Sequence, residues 1–361
     1  MTNIIETELV RRNIYNNIID KISEKLKNHI KQKEIQHLLL RYIFNKIIER
    51  RQHNDPIIIP EYSDICFLQI KKDFEFKDIK IDAKTFVKEV DELLKEGENV
   101  MKTIKINDDK YIKYISDKNH FLYNNKIYKN ISNLGDPKHP ELFPYCIALN
   151  IRYTYLHLST HGLARDYYKM SYNKYDGFEI FASSFNHYFD CYHSAFPDLE
   201  KPFGSLGSFF ENVEPELLKC SIQTVLNSIK NDSYSIGQEK YFTDCFFLSD
   251  IYKKEIKQIS SFYKSSKKKL KNKVMFVNPP FDMILMSIVF FIFEHLNVEY
   301  KTILTVPNWS NFLFLEKLKK HPKTKKTIIY PKGTLKFINH MNNKKIFPCD
   351  IAEIYLYPNV S

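Results

Sequence analysis

Glycine, tryptophan and paired cysteines are scarce in this sequence, and each scarcity argues against a class of protein. The 361 residues include 8 glycines and 1 tryptophan, and the glycine-rich fingerprint of dinucleotide-binding proteins does not occur. The 6 cysteines are scattered without a Cys-x-x-Cys pair, so neither a disulfide framework nor a zinc site is indicated. We therefore predict an intracellular protein, of the nucleus or the cytoplasm, that binds no metal.

Long hydrophobic runs are also missing. The most apolar run, residues 283 to 293, is too short to span a bilayer and is followed by Glu294 and His295. The N-terminus lacks the pattern of a secretory signal, and we predict no membrane partner. With 43% hydrophobic and 15% aromatic residues, the composition is that of a folded protein rather than a disordered one.

Positive charge is in excess. Lysine and arginine number 54 against 43 aspartates and glutamates, a net charge of +11, which favours an anionic partner such as nucleic acid. Lysine enrichment from an AT-rich coding sequence would give the same excess without a functional meaning. Arg152 and Arg165, both on a predicted helix, are candidate substrate-binding residues that anchor phosphate; the alternative for each is a surface ion pair.

Patterns along the chain predict two domains. Residues 1–135 indicate a helical and mixed N-terminal substrate-binding domain, and a linker with glycine and prolines leads to a second domain at 141–361. The second domain begins with a helix predicted over 141–170. From about residue 178 strands alternate with helices, which is typical of an α/β sheet with helices on both faces. An insertion is predicted over about 211–273.

Three segments combine lysine with features of a nucleic-acid surface. Residues 101–114 and 121–128 alternate lysine with isoleucine and tyrosine, which predicts strands that pair around Asn124-Asn125. Such a ribbon would track a phosphate backbone or form a solvated hairpin. The Ser/Lys-rich segment 260–273 would bind nucleic acid or serve as a solvated linker, and residues 332–345 are predicted to form a basic loop.

One stretch combines a buried strand with a rigid polar turn. Residues 274–277 are Val-Met-Phe-Val, and Asn278-Pro279-Pro280-Phe281 follows, ahead of an apolar helical run. Two successive prolines fix φ and hold the preceding residue extended, so Asn278 is predicted at the carboxyl end of the strand. Ligands of open α/β sheets bind in the crevice outside these strand ends.

This turn suits the methylation of an exocyclic amine. An adenine N6 amine is a poor nucleophile because its lone pair is delocalised into the ring. The Asn278 side-chain carbonyl and the Pro279 main-chain carbonyl can accept its two hydrogens and stabilise the positive charge that develops on nitrogen. Pro280 keeps the turn rigid, and Phe281 offers a flat face to the base. The tetrapeptide alone leaves open that it is an ordinary turn between strand and helix.

Polar and small residues near other predicted strand ends are candidates for the same crevice. Residues 178–186 predict a strand that leads into a polar turn, and Asp198 would hold ribose hydroxyls or cap a helix or turn. Glycines at 204 and 207 let main-chain N–H groups approach a polar ligand. The candidate cofactor-binding residues are Phe181, Ala182, Ser183, Asn186, Asp198, Gly204, Ser205, Gly207 and Asn278. Trp309, after a further predicted strand, is a substrate-binding candidate together with Phe281.

These segments, in this order, resemble the cap-specific adenosine N6-methyltransferases, a family also called phosphorylated CTD-interacting factor. The resemblance covers roughly residues 141–357. It is carried by the combination of residues 178–186, 194–198, 203–210, 278–281 and 306–309. The resemblance implies a Rossmann-like methyltransferase sheet, S-adenosyl-L-methionine as cofactor and capped RNA as partner. The implied reaction is N6-methylation of the 2′-O-methyladenosine next to the cap, with Asn278, Pro279 and Phe281 in the catalytic motif.

Two departures from the family pattern lead to further expectations. Ser184-Phe185 stand where the family has Pro-Leu, which admits a catalytically silent RNA-binding subunit as one alternative function. N6-adenine methylation of internal RNA or of DNA is another alternative. The chain has 1 tryptophan and lacks the tryptophan signature of a WW domain, so we predict a resemblance to the catalytic part only and no polymerase-tail binding module.

Overall fold

The computed structural model of the protein describes residues 4–26, 35–36, 39, 71, 74, 80–103, 111–156, 162–210, 213, 217–218, 220–222, 224, 273–281, 283–295, 300–309, 313–338 and 344–357. The chain forms two compact units. The first comprises Met1–Ser159 and Asp198–Phe203, and the second comprises Thr160–Pro197 and Gly204–Ser361. The chain passes from the first unit to the second near residue 159; the domain boundary that the sequence suggested between 135 and 141 stays a prediction.

The helices with described bounds are α1 Ile4–Leu26, α2 Ala83–Thr103, α3 Phe143–Tyr155, α4 Arg165–Tyr172, α5 Pro197–Glu200, α6 Met283–His295 and α7 Leu313–Lys320. Short 3₁₀ turns cover Ser116–Lys118, Ile131–Asn133, Pro140–Leu142 and Lys201–Phe203. None of these helices has the length and apolarity that crossing a membrane requires. Most of the predicted insertion over 211–273, including the lysine-rich segment from 260, lies outside the described residues.

The first unit contains a three-stranded antiparallel sheet in the order β1-β2-β3, formed by β1 Ile112–Ile115, β2 His120–Tyr123 and β3 Lys126–Lys129. We predicted that residues 121–128 form a strand that pairs with 101–114. Residues 112–115 do pair with 120–123, but residues 101–103 belong to α2, and the predicted strand 121–128 folds back at Asn124-Asn125, where Tyr123 lies opposite Lys126. Both asparagines have positive φ, 51° and 59°, as a two-residue hairpin turn requires. Apolar and basic side chains of this sheet differ in exposure more than predicted. Phe121 and Tyr123 are buried, whereas the lysines at both ends of β3 are exposed.

The helix predicted over 141–170 is interrupted. α3 ends at Tyr155 and α4 begins at Arg165, with a short strand β4, Gly162–Leu163, before α4. β4 pairs with β10, Phe337–Ile338, which in turn pairs with β11, Lys344–Lys345. A local period of hydrophobic residues cannot reveal this pairing, because its partner lies far along the chain. Residues 337–338 and 344–345 of the basic loop that we predicted over 332–345 are therefore strands of this small sheet, and residues 339–343 lie outside the described residues.

The second unit is built on a six-stranded mixed sheet, which confirms the predicted α/β class. Its strands are β5 Gly177–Ala182, β6 Tyr192–Ser194, β7 Val274–Val277, β8 Thr302–Pro307, β9 Thr324–Tyr330 and β12 Ile351–Leu356. Their order is β6-β5-β7-β8-β12-β9. β6, β5, β7 and β8 are parallel, whereas β12 runs antiparallel to both β8 and β9. β7 and β8 are buried along their whole length, as expected for the apolar central strands of a parallel sheet.

The strand order reverses between β5 and β7. From β5 the chain continues to β6 on one side, and it then returns to β7 on the other side of β5. α4 covers one face near this point, where the ring centroid of Tyr172 lies 4.7 Å from that of Phe276. Ligands of open α/β sheets bind outside the carboxyl ends of the strands at such a reversal. The fold therefore directs attention to the residues that follow β5 and β7.

Candidate active site

Asn278 directly follows β7 and lies beside the carboxyl end of β5. Its main-chain N–H donates to the carbonyl of Ile180 at 3.5 Å, one residue beyond the last paired residues, Ile180 and Val277. The Asn278 side chain is half-buried, and within the part of the chain that the structure describes its amide has no hydrogen-bond partner. Since half-buried polar groups normally bond to protein, water or ligand, this amide is available to a ligand in the crevice.

The turn after β7 is rich in acceptors and poor in donors. Pro279 is buried and Pro280 is exposed, and neither has a main-chain N–H to donate. The one main-chain donor of this tripeptide, the N–H of Asn278, is already bonded to Ile180. What the main chain of the turn can offer a ligand is therefore carbonyl oxygen, which suits a ligand that donates hydrogen bonds, such as an amine.

Phe281 ends the motif and is held by other aromatic rings. Its ring makes T-shaped contacts with Phe347 and Phe337, at centroid distances of 4.6 Å and 5.8 Å. The ring is half-buried, so part of it remains accessible. Contacts of this kind fix the plane of a ring, and a fixed, partly open ring is what stacking on a base requires.

Phe181 is strained at the end of β5. Its φ is +66°, in the left-handed region, which a bulky non-glycine residue rarely occupies. The ring packs against Phe209 and Phe210, at 5.0 Å and 5.9 Å between centroids. Such strain persists only where the surroundings impose it, and it concentrates at functional sites. The strained residue lies immediately beside the main-chain bond that positions Asn278.

The residues after β5 form a turn that is closed by its own side chains. The Ser183 N–H and hydroxyl donate to Asn186 Oδ1 at 2.8 Å and 2.9 Å, and the Asn186 N–H donates to the Ser183 carbonyl at 3.1 Å. Ser184 and Phe185, the two departures from the family pattern, are buried. The Ser184 hydroxyl bonds to the Tyr192 hydroxyl at 2.7 Å. The departures therefore face the protein interior.

The glycine-containing segment lies along the outer side of β6. Gly204 and Gly207 have φ values of +99° and +107°, which a side chain would oppose. The Leu206 N–H donates to the Tyr192 carbonyl at 2.7 Å, and the Gly207 N–H donates to the Ser205 hydroxyl at 3.3 Å. We predicted that N–H groups of this segment contact a ligand, but these two are engaged within the protein. The segment instead extends the sheet beyond β6.

Two of the predicted residues, Arg152 and Asp198, pair with each other in the first unit. Arg152 is fully buried, and its guanidinium donates to both oxygens of Glu8, at 2.9 Å and 2.6 Å, and to Asp198 at 2.8 Å. Although burial opposes ionisation, the Arg152 guanidinium holds the pKa of Asp198 below its usual range. Arg152 is therefore not an exposed phosphate anchor, because its donors are spent on carboxylates. The ribose role of Asp198 stays a prediction.

Arg165 and Trp309 lie in the second unit. Arg165 is exposed at the start of α4, and its Nη2 lies 3.5 Å from the carbonyl of His187. Trp309 follows β8 at the carboxyl edge of the sheet, is half-buried, and bonds through its side chain to Cys349. The structure therefore brings Phe181, Ala182, Ser183, Asn278 and Trp309 to one edge of one sheet.

Sequence reasoning missed two buried carboxylates on the sheet. Burial raises the pKa of Glu179 to about 7, although its carboxylate accepts the N–H groups of Tyr188 and Phe189 at 2.5 Å and 3.0 Å. Burial also raises the pKa of Glu353. Its carboxylate accepts hydrogen bonds from the hydroxyls of Tyr167, Tyr172, Tyr330 and Tyr355. The sequence feature that could have identified both carboxylates is a glutamate within an otherwise apolar strand.

Comparison with known families adds one finding. The sequence model of the family described as the Phosphorylated CTD interacting factor 1 WW domain matches residues 124–221. No curated protein matches the chain. The match points to the phosphorylated CTD-interacting factor family. It covers less than half of the chain and does not include β7, the Asn278 turn or β8.

This match overturns our prediction that the chain has no WW domain and no polymerase-tail binding module. The prediction rested on the absence of a tryptophan signature, with Trp309 as the only tryptophan. The match extends over residues 124–221, a range that contains no tryptophan. Tryptophan content was therefore the wrong criterion for recognising this region of the chain.

Proposed function

We propose that the protein is an S-adenosylmethionine-dependent methyltransferase that acts on N6 of adenosine, with the cap-adjacent adenosine of capped RNA as its substrate. The observation that carries this proposal is the Asn278 turn. It offers an unpartnered side-chain amide and carbonyl acceptors, beside the reversal of strand order in the sheet. An amine that must be held by its two hydrogens fits such a turn.

The strand order supports a Rossmann-like sheet. Four neighbouring parallel strands end at one edge, and the strand order reverses between β5 and β7, the position at which open α/β sheets bind their ligands. β5 and β7 flank the reversal. The residues that directly follow the last paired residue of each strand are candidate site residues. This coincidence of fold and motif is the structural context that a short motif needs.

The end of β5 provides the surroundings for the cofactor. Ala182 has no side chain beyond Cβ and is half-buried, so the main chain there is open to close approach. The strain at Phe181 indicates that the backbone of this strand end is held in an imposed conformation. Phe181, Ala182, Ser183, Asn186 and Asn278 would hold S-adenosylmethionine. When bound, this cofactor supplies an electrophilic methyl group on a sulfonium.

Asn278 and Pro279 act on the amine. The Asn278 side-chain carbonyl and the Pro279 main-chain carbonyl accept the two N–H groups of adenine N6, which draws the nitrogen lone pair out of conjugation with the ring. As the carbon–nitrogen bond forms and the methyl–sulfur bond breaks to leave a neutral thioether, positive charge would develop on nitrogen, and the two fixed dipoles would stabilise it. The nitrogen would then release one proton to water and keep the new methyl group. Because the turn is rigid, these dipoles need little reorganisation.

Phe281 positions the base. Its ring plane is fixed by Phe337 and Phe347, and stacking of adenine on its open part is worth roughly 1–3 kcal/mol. A base stacked there would lie next to the Asn278 turn, because only the two prolines separate the residues. The preference for capped RNA is supported by the family match and by the net charge of +11.

The test is methyl transfer from labelled S-adenosylmethionine to each of three RNAs. One RNA has a cap and a first adenosine, the second has the same sequence without a cap, and the third has adenosine only at internal positions. We expect methylation of the capped RNA alone. Equal labelling of the three would replace the cap-specific assignment with N6-adenine methylation in general. Binding of RNA without any methylation would establish a silent subunit.

A further inference from the structure

The rim of the crevice contains two exposed cations from distant parts of the chain. The N–H of Ala164 donates to the carbonyl of Lys336 at 3.1 Å, which continues the pairing of β4 with β10. Arg165, the next residue after Ala164, therefore lies beside Lys336. Both side chains are exposed. The sequence separates these residues by a long stretch, and only the pairing of β4 with β10 brings them together.

The β4–β10 pair adjoins the candidate site. A side chain at Gly162 of β4 would come within 3.1 Å of the Asn186 amide, and Phe337 of β10 contacts Phe281 at 5.8 Å between ring centroids. One strand of the pair therefore lies against the turn after β5, and the other lies against the aromatic residue of the Asn278 motif. Lys336 directly precedes β10, and Arg165 follows β4 after Ala164.

Across the described ranges, neither Arg165 nor Lys336 is held in a close salt bridge. Burial raises the pKa of Glu179, although the charge of Arg165 helps to lower it. Arg152, by contrast, pairs with Glu8 and Asp198, and Lys319 pairs with Glu316. Two exposed positive charges on neighbouring segments would attract a polyanion to this rim.

We propose that Arg165 and Lys336 bind the phosphodiester backbone of RNA just after the methylated adenosine. The proposal rests on the proposed function, because it takes its anion from the substrate of the same site. Arg165 offers a planar fork that matches phosphate oxygens, and Lys336 offers a second charge beside it. Together they would hold the strand while its base rests on Phe281. Contacts to phosphate position the strand and do not read its sequence.

The test compares RNA binding and methylation in the double variant Arg165→Gln, Lys336→Gln. Binding of a short capped RNA with a dye at its far end is measured by fluorescence anisotropy over a series of salt concentrations. We expect the slope of log affinity against log salt to become shallower by about 1.4, from about 0.7 for each phosphate contact to a single strand. The control Lys174→Ala removes an exposed cation that precedes β5, on the amino side of the sheet, and should leave the slope unchanged.

Methylation separates the two proposals. A cap dinucleotide has no phosphodiester after the adenosine, so the double variant should methylate it with the wild-type kcat and KM, whereas KM for the longer RNA should rise. An unchanged salt slope, or an equal rise of KM for both substrates, would show that Arg165 and Lys336 do not bind the phosphodiester backbone. If the double variant shows the shallower salt slope but the wild-type protein methylates no RNA, the phosphate-binding role of Arg165 and Lys336 would stand and the proposed reaction would be refuted.

Discussion

Asn278 and Ile180 are joined by a main-chain hydrogen bond of 3.5 Å, which ties the first residue of the polar turn to the strand on the other side of the reversal. This bond uses the donor of Asn278 and leaves the side chain to be directed by the prolines that follow. β5 and β7 together therefore fix the position of the Asn278 amide. The predictions below test this site and the packing that supports it.

Replacing Asn278 tests the amine-binding turn. Asn278→Ala removes one of the two acceptors, and we expect kcat to fall at least 100-fold, about 3 kcal/mol in the barrier, with nearly unchanged affinity for RNA. Labelled methyl transfer and RNA anisotropy provide the measurements. Asn308→Ala is the matched control, because Asn308 follows the neighbouring strand β8 and its side chain is occupied by Lys319 at 2.7 Å. Wild-type turnover in Asn278→Ala would exclude the mechanism.

Replacing Phe181 tests the strained backbone. Phe181→Gly and Phe181→Ala remove the same ring, but only glycine relaxes at a φ of +66°. We expect the glycine variant to be the more stable of the two by about 1 kcal/mol in urea denaturation. At Met170, an exposed position inside α4, the order should reverse, because glycine weakens a helix. Equal stability of the two Phe181 variants would mean that the strain is not present.

The raised pKa of Glu179 should make the stability of the protein depend on pH. Its pKa rises to about 7 in the folded protein from an ordinary value of 4.5, so the native state binds more proton than the unfolded chain between these values. Stability from this group is therefore full below pH 4.5 and is lost as the pH rises through 7, by about 3 kcal/mol. Denaturant unfolding across this range is the measurement.

Glu179→Gln is the reference for that titration. The variant cannot ionise, so its stability should lack the decline toward neutral pH. Burial lowers the pKa of His193 to about 4, which makes stability rise over part of the same range, but His193 is present in both proteins and cancels in their difference. A difference that does not vary with pH would show that Glu179 titrates normally.

We expect that replacing Arg152 destabilises the first unit. Breaking a buried ion pair by removing one partner costs about 3–5 kcal/mol, and Arg152→Met would remove the cation that bridges Glu8 and Asp198 and leave Arg11 as the partner of Glu8. We expect faster hydrogen exchange in α1 and α3, where Glu8 and Arg152 lie. Arg165→Met, at an exposed arginine, should change exchange little. An unaltered exchange pattern in Arg152→Met would return Arg152 to the list of candidate RNA-binding residues.

Local sequence signals predicted most of the second unit's sheet. β5, β7, β8, β9 and β12 are apolar or alternating runs that end at polar or proline-containing turns, so each could be assigned from its own residues. β6 could not be assigned in this way, because Tyr192–Ser194 are recognisable as a strand only through their pairing with β5. A three-residue strand carries too little periodicity to be recognised without its neighbour.

Long-range partners explain what could not be predicted. Arg152 lies on an apolar helix and could have been a phosphate anchor, but Glu8 and Asp198 decide otherwise, and both are far from it in sequence. The same holds for the β4–β10 pair, which brings Arg165 next to Lys336. The Asn278 turn was predictable because its strand, its prolines and its aromatic residue are consecutive. Chemistry carried by consecutive residues can be inferred from sequence, whereas chemistry assembled by pairing cannot.

The position of β12 has a consequence for synthesis of the protein. This strand follows all the others in the sequence, yet it lies between β8 and β9. While the ribosome is still adding residues 351–356, β8 and β9 have no common neighbour and both expose unpaired main-chain groups. The sheet can therefore close only after translation of these residues, and nascent chains should depend on chaperones until then. A premature stop before residue 351 would remove a central strand and split β9 from the rest of the sheet.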